Sequence, residues 1–482
     1  RERNSGMKIF DEQKIVAMAP NANAVSNGRK ISASGGFVRR IKSEDDSFYA
    51  GECKGSGRKN YIVSVDLVDR NNPVFRCSCP SRQFPCKHSI ALMFEMVADK
   101  AFDIEDIPQD ILDKRSKKEA REQKKAEKAE KPKKVTAQSK AARTKKIKKQ
   151  LEGLDLLRDL MARITDVGIA ATASTPLKEN QALAKQLGDY YLPGVQVIFN
   201  RFLYAMEKVQ REKETNYSDA VDELVKLRYI EKRARVYLEK KLESDQPEVD
   251  DNLLYEALGG VWKLDELNAL GLKKEKVSLV QLSFSVENDP VKREFADIGH
   301  WIDLEDGQIN YTANYCPEKA KKYIHREDSF FDVKEIETLL FYPAMEGENK
   351  RIRWDKDGER KISAEDIQKI RGFAAKGISD WIKPAKNVLK ATLSDNAYAV
   401  LFHYSKIGLN TEGEFVAEDE DKKQIILKNK QGKTDVFGFL PVDDVEHNQV
   451  LFGIAYYDQE NRRICVEPRS VITKDSVVRL AY

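Results

Sequence analysis

Residues 77–88 hold four side chains able to ligate a soft metal: Cys77, Cys79, Cys86 and His88, spaced C-x-C-x6-C-x-H. The chain has six cysteines and five histidines in 482 residues, so this concentration is not background. Three thiolates and one imidazole complete a tetrahedral zinc shell and leave no open position for a substrate. Soft thiolates also favour zinc over oxygen-seeking cations. One structural Zn²⁺ is therefore the expected cofactor, and no catalytic residue is assigned. Three thiolates leave the centre with one negative charge, and Arg76, Arg82 and Lys87 lie near enough in sequence to offset it. The alternatives are buried free thiols beside a core histidine, a redox pair, which usually reads C-x-x-C, and an iron–sulfur site, which usually needs four cysteines. Cys53 is either a distant substitute ligand or a plain thiol.

These residues need elements to hold them. Cys77 ends a strand-like run over 73–77, and Cys79, two residues on, projects from the same face. Cys86 and His88 flank one residue where a helical run begins, its broad apolar face made by Ile90, Leu92, Met93, Phe94 and Met96. The PSRQFP segment between the two halves is a turn stiffened by Pro80 and Pro85. Upstream, 47–53 and 61–68 read as strands, the second (YIVSVDLV) with clear alternation, joined by the GSGRKN turn. A short helix over 11–19 stops at Pro20, and the Asn-, Ala-, Ser- and Gly-rich stretch to Gly36 reads as a loop. The sum is a small β-rich module over residues 10–100, ββα around the ligands.

A chain of this length suggests about three domains. Residues 113–150 form a basic low-complexity linker. Within it, 114–150 carry 17 Lys or Arg against 4 Glu and no aromatic residue. Such a segment is either an arm for nucleic-acid phosphates or a self-repelling spacer between domains. The lack of aromatics argues against base stacking on single strands. Residues 151–245 read as a helical domain, with Leu151, Leu154, Leu157, Leu160 and Met161 at helical spacing and further runs at 178–188, 195–210 and 217–243. Residues 250–482 read as a β-rich or α+β region, with short strands from 276–287 onward and one helix over 364–382. The fold class is multidomain α+β.

No stretch approaches the roughly 18 consecutive apolar residues of a membrane span. The start lacks a signal-peptide core, and Met7 is a candidate natural start. A reducing, cytoplasmic location fits the free thiolates. His300, His325, His403 and His447 are isolated in sequence, and Trp262, Trp301, Trp354 and Trp381 read as core. Asp443-Asp444 lacks a calcium-loop pattern. No nucleotide-binding glycine loop, H-E-x-x-H or G-x-S-x-G is present.

The ligand spacing, with the GECKGSG turn, the YIVSVDL strand and the CSCPSRQFPCKH segment in that order, resembles the SWIM zinc finger and bacterial SWIM zinc finger family proteins over about residues 10–100. The resemblance implies zinc binding through Cys77, Cys79, Cys86 and His88, with DNA-binding or protein-interaction roles. It also implies work beside a MoxR-type AAA ATPase or a von Willebrand A-domain protein. The expected function is a non-enzymatic interaction protein that uses the finger to recognise a protein or nucleic-acid partner. One alternative is a DNA-binding protein using finger plus basic linker. The other is an enzyme with an unrecognised site in the C-terminal region.

Overall fold

The computed structural model describes residues 10–55, 59–69, 73–81, 84–98, 100–116, 137–172, 177–213, 216–243, 249–320, 328–430 and 445–480. It divides into two units, 1–133 and 134–482, and is mixed α+β. Among the described residues no helix is long and apolar enough to cross a membrane.

The N-terminal unit is built on a five-stranded sheet, ordered β4-β3-β2-β1-β5. Its strands are β1 (Phe37–Lys42), β2 (Phe48–Cys53), β3 (Tyr61–Asp66), β4 (Val74–Cys77) and β5 (Asp103–Ile104). Helices α1 (Glu12–Met18), α2 (Ala22–Ala33) and α3 (Lys87–Val97) accompany it. Val63 and Val65 of β3 meet Ile90, Leu92 and Met93 of α3 in the core, with Ile15 of α1 and Phe37 of β1. Val63, Val65 and Leu67 of the alternating YIVSVDLV run face this core, and the polar residues between them, Ser64 and Asp66, are buried on the other face of the sheet.

Two expectations need correction in this unit. The segment read as a loop up to Gly36 is mostly α2. Asn21 caps it, its side chain accepting from the Ala24 amide at 2.8 Å. Gly28, which looked like loop composition, is the point where α2 crosses α3: a Cβ there would sit 2.6 Å from Ile90 Cγ2. Ile90 is fully buried and cannot yield. Gly28→Val should therefore destabilise this unit by about 1–3 kcal/mol, seen as a lower urea midpoint with an unchanged slope. The second omission is β1, whose FVRRIK sequence carries three cations and does not alternate cleanly.

The start of the basic segment is also placed. Residues 109–116 are helical, and Ile111 packs on Phe48 and Ala50. Arg115 donates to Asp66 at 2.9 Å and to the Ser47 carbonyl at 3.0 Å.

In the C-terminal unit α4 (Ala137–Val167) begins inside the segment read as a linker. Ile147 and Gln150 are buried there, so the apolar stripe starts upstream of Leu151. Its other faces stay charged, with Lys140, Lys145, Lys148 and Lys149 exposed. The linker reading does not hold for 137–150, and 117–136 lie outside the described residues. A four-residue α5 (Ile169–Thr172) is followed by α6 (Leu177–Asp189), α7 (Pro193–Glu212) and α8 (Ser218–Glu243), which pack with α4 around Phe199, Phe202, Leu154 and Leu227. Short helices α9 (Leu253–Ala257) and α10 (Leu264–Ala269) lead into the sheets.

One sheet runs β10-β9-β6-β7-β8, with β11 also pairing β9. These strands are β6 (Lys273–Asp289), β7 (Glu294–Asp303), β8 (Ile309–Pro317), β9 (Val333–Phe341), β10 (Ile352–Arg353) and β11 (Asp357–Arg360). The other runs β14-β13-β12-β15-β16-β17, from β12 (Tyr398–Leu409), β13 (Phe415–Glu418), β14 (Gln424–Leu427), β15 (His447–Asp458), β16 (Arg463–Ile472) and β17 (Val477–Arg479). Because β14 pairs with both β13 and β16, five of its strands close into a ring. The single helix expected over 364–382 is two, α11 (Ala364–Phe373) and α12 (Ile378–Leu389). The break is enforced at Ala375, which leaves the helix to bond backbone-to-backbone with Leu401 and His403 on β12. Trp262, Trp301 and Trp381 are buried, as read from sequence, while Trp354 is half-buried against Trp301.

Candidate metal centre

The ligand cluster is assembled from two places in the N-terminal unit. Cys77 is the last residue of β4 and pairs with Val63 of β3. Cys79 lies just past the strand end. Between them Ser78 is bonded on both sides of Ile62: its amide donates to the Ile62 carbonyl at 3.0 Å, and its hydroxyl accepts from the Ile62 amide at 2.9 Å. Anchoring Ser78 to β3 keeps the chain extended, so the two cysteines flanking it share the opposite face. Cys86 is the N-cap residue of α3, with extended backbone and no side-chain capping bond, and His88 sits in the first turn.

The ligating atoms of Cys77, Cys79, Cys86 and His88 all lie within 4.8 Å of one another. His88 Nδ1 is 3.8 Å from Cys77 Sγ and 3.9 Å from Cys86 Sγ. Zinc bonds of about 2.3 Å to sulfur and about 2.0–2.1 Å to nitrogen, at tetrahedral angles, put S and N about 3.6 Å apart. The donors thus already stand near the edges of the tetrahedron, and Nδ1 is the histidine atom turned to the metal. Cys86 and His88 are buried and the other two cysteines partly so.

The sulfurs of Cys77 and Cys86 are electrostatically unequal. A hydrogen bond shared by the two sulfurs pushes the Cys77 thiol up and holds Cys86 far below the ordinary thiol range, with His88 and Ser89 adding to the second effect. The α3 N-terminus favours negative charge at Cys86 in addition. Ligation needs thiolates, so zinc binding releases protons.

The family model described as SWIM zinc finger matches residues 61–95, the stretch from β3 to the end of the ligand-bearing helix. The chain carries a SWIM zinc finger. It holds a Cys₃His group placed for one zinc ion. No curated protein matches this chain. Among solved structures, that of a murine DNA binding protein bound with double-stranded DNA is similar at 10% identity, covering 43% of this chain and 98% of its own, with a TM-score of 0.20.

The supports of the finger were only partly legible. Ser89 Oγ lies 3.5 Å from Cys86 Sγ, as its i+3 position on a helix allows. The Tyr61 ring stands 4.9 Å from the His88 ring, a contact nothing in the spacing announces. Arg76 does not offset the thiolates: it alternates away from Cys77 along β4 and pairs with Asp66 at 3.3 Å. Arg82 lies outside the described residues, and Lys87 is exposed. Cys53 is a core thiol that burial pushes up to about 11, separate from the four-residue group.

The isolated histidines divide. His325 and Asp443-Asp444 lie outside the described residues. His447 is exposed beside Glu446, and His403 Nε2 stands 3.1 Å from the Arg371 carbonyl. His300 is different: it lines a cavity in the C-terminal unit together with Glu348, Asp395, Glu467 and Arg469.

Proposed function

We propose that this chain is a non-enzymatic interaction protein whose SWIM finger, a ββα unit within the N-terminal sheet, is held by structural zinc and recognises a macromolecular partner. The observation that carries this reading is the closed donor set. Four ligands from one polypeptide fill a tetrahedron, so the metal has no position left for chemistry and serves shape instead. The partner is a protein, with a MoxR-type AAA ATPase or a von Willebrand A-domain protein as the first class to test, in a bacterial cytoplasm.

Nucleic acid is the second reading, and one observation favours it. The exposed lysines of α4 and the 17 cations of 114–150 give a concentrated positive segment. If it binds phosphates, affinity falls steeply with salt, losing about 10³–10⁵ between 50 and 200 mM for six to ten contacts. Residues 151–482 carry 49 basic and 59 acidic side chains, which confines such binding to that segment and the finger.

A pull-down of the zinc-loaded chain from its host at two salt concentrations, with and without nuclease, decides between these readings. The proposal expects protein capture that survives nuclease and higher salt and is lost in Cys86→Ser. Capture that vanishes with nuclease assigns the finger to nucleic acid.

A further inference from the structure

The C-terminal unit has a cleft of about 630 Å³ between α12 and one end of the strand ring, within the size range of small-molecule sites. The mouth of a barrel is a common place for such a site. α12 is seated by Ile378, Trp381 and Ala385, which are buried in the core of the ring. Its neighbouring stripe, Ile382, Lys386, Leu389 and Lys390, recurs at helical spacing and forms the first wall. Ile382 and Leu389 are only half-buried there.

The second wall is the ring itself, where β14 and β16 start and β15 ends. Tyr457 stands opposite Ile464 in the β15–β16 register, so the two side chains share a face. Ile425 precedes Ile426, which pairs with Cys465, and so neighbours Ile464 on that face. The Tyr457 ring is 40% exposed. The two walls together present four branched aliphatic side chains and one ring.

The rim is cationic. Lys386 and Lys390 come from α12, Arg462 from the β15–β16 turn and Arg463 from the start of β16. No carboxylate lines the cleft among the described residues. Arg463 is held by Glu414 at 3.0 Å, and Lys390 donates to the Asn387 side-chain oxygen at 2.9 Å. Lys386, Lys390 and Arg462 have no ion-pair partner among the described residues. Lysines in the last turns of α12 suit the helix dipole by themselves. Arg462 does not belong to the helix, and it holds a left-handed position, φ 54°, that favours glycine. The cationic rim also runs against its surroundings, since residues 151–482 carry 49 basic and 59 acidic side chains.

We propose that this cleft binds an amphipathic organic anion, a single aliphatic chain lying on the isoleucine and leucine floor with its carboxylate at the cationic rim. The class follows from the lining as a whole. A polyphosphate would satisfy the cations and leave the apolar walls uncovered. A neutral apolar ligand would cover the walls and desolvate cations without a partner, which is costly. A hydroxyl-rich ligand needs acceptor side chains, and the lining offers no carboxylate or amide. A chain with one anionic end satisfies both surfaces. This inference does not rest on the finger, and it assigns no reaction to the cleft.

The test is calorimetric titration of the full zinc-loaded chain with decanoate. The proposal expects saturable binding that weakens by up to about fourfold for each methylene removed, through octanoate to hexanoate. Acetate has the charge without the chain, and decyltrimethylammonium has the chain with the opposite charge; neither should saturate. Lys386→Gln combined with Arg462→Asn should weaken decanoate by about tenfold or more. Both positions are exposed, and asparagine accepts the left-handed backbone, so an unchanged urea midpoint shows that this variant folds. Absence of saturation by decanoate up to about 10 mM overturns the proposal. So does equal binding of decyltrimethylammonium. Decanoate binding that the double variant leaves unchanged also overturns it, because the anion then sits on cations elsewhere. Sedimentation with phosphatidylglycerol vesicles that the double variant abolishes, while decanoate fails to bind, assigns the cleft to a bilayer surface and overturns the free-chain reading.

Discussion

Treating the intact chain with a zinc chelator should unfold the N-terminal unit and leave the C-terminal unit folded. Zinc binding to a small structural site is coupled to folding with roughly 10–16 kcal/mol. A whole domain is stable by only about 5–15 kcal/mol, so removing the metal is enough to reverse the balance. The route is visible in the structure. Zinc fastens the end of β4 to the first turn of α3, and α3 contributes Ile90, Ala91, Leu92 and Met93, all fully buried, to the core of the unit. Once the first turn is free, α3 loses the anchor that sets its position against β3, and that core opens. Circular dichroism should show a loss of helix, and limited trypsin digestion should open new sites between residues 73 and 98. The cores of the C-terminal unit contain none of the four ligands and should survive intact. Cys86→Ser should reproduce the chelator, whereas Cys53→Ala should keep one zinc per chain. Unchanged dichroism and an unchanged digest after full zinc removal would sink the structural role of the metal.

The finger was readable because a metal site is written locally. Four ligands within twelve residues, a period-two strand before them and an apolar helix after them leave few other arrangements. What was missed depends on contacts distant in sequence. α2 looked like a loop because Gly28 and Asn21 are turn residues by composition. Their roles, close approach to Ile90 and capping, appear only when α3 is present. Arg76 looked like a counter-charge by proximity, yet the alternation that brings Cys77 inward sends Arg76 to Asp66. The basic segment reads as one piece by composition, while Ile147 in the helical core, Gln150 bonded to the Tyr191 carbonyl and Arg143 bonded to the Lys241 carbonyl hold its last two turns. His300 was set aside for want of neighbours in sequence. Its partners come from other strands: Ser283 from β6, Tyr311 from β8 and Phe452 from β15 of the other sheet.

The second large effect concerns the other end of α3. Glu95 is 1% exposed, on a helix face that reads as polar only in sequence. Its carboxylate is held by Arg40 of β1 at 3.0 Å and by the Ser32 hydroxyl of α2 at 2.5 Å. Three elements thus converge on one buried charge. Arg40→Met should destabilise the zinc-loaded N-terminal unit by about 3–5 kcal/mol, because it leaves the carboxylate buried and unpaired. Replacing both partners, Arg40→Met with Glu95→Met, should recover most of that loss, since no charge is then stranded. Urea unfolding of the four proteins, completing a double-mutant cycle, measures the difference. A single Arg40→Met variant within about 1 kcal/mol of the parent would show that water reaches Glu95 and that the pair does not hold the helix. The cycle also bears on the metal. α3 is tied by zinc at Cys86 and His88 and by the ion pair at Glu95, so each tie limits the motion the other must resist. Arg40→Met should therefore lower apparent zinc affinity without touching a ligand, while the double variant, with its charge removed and its core closed, should hold zinc nearly as the parent does.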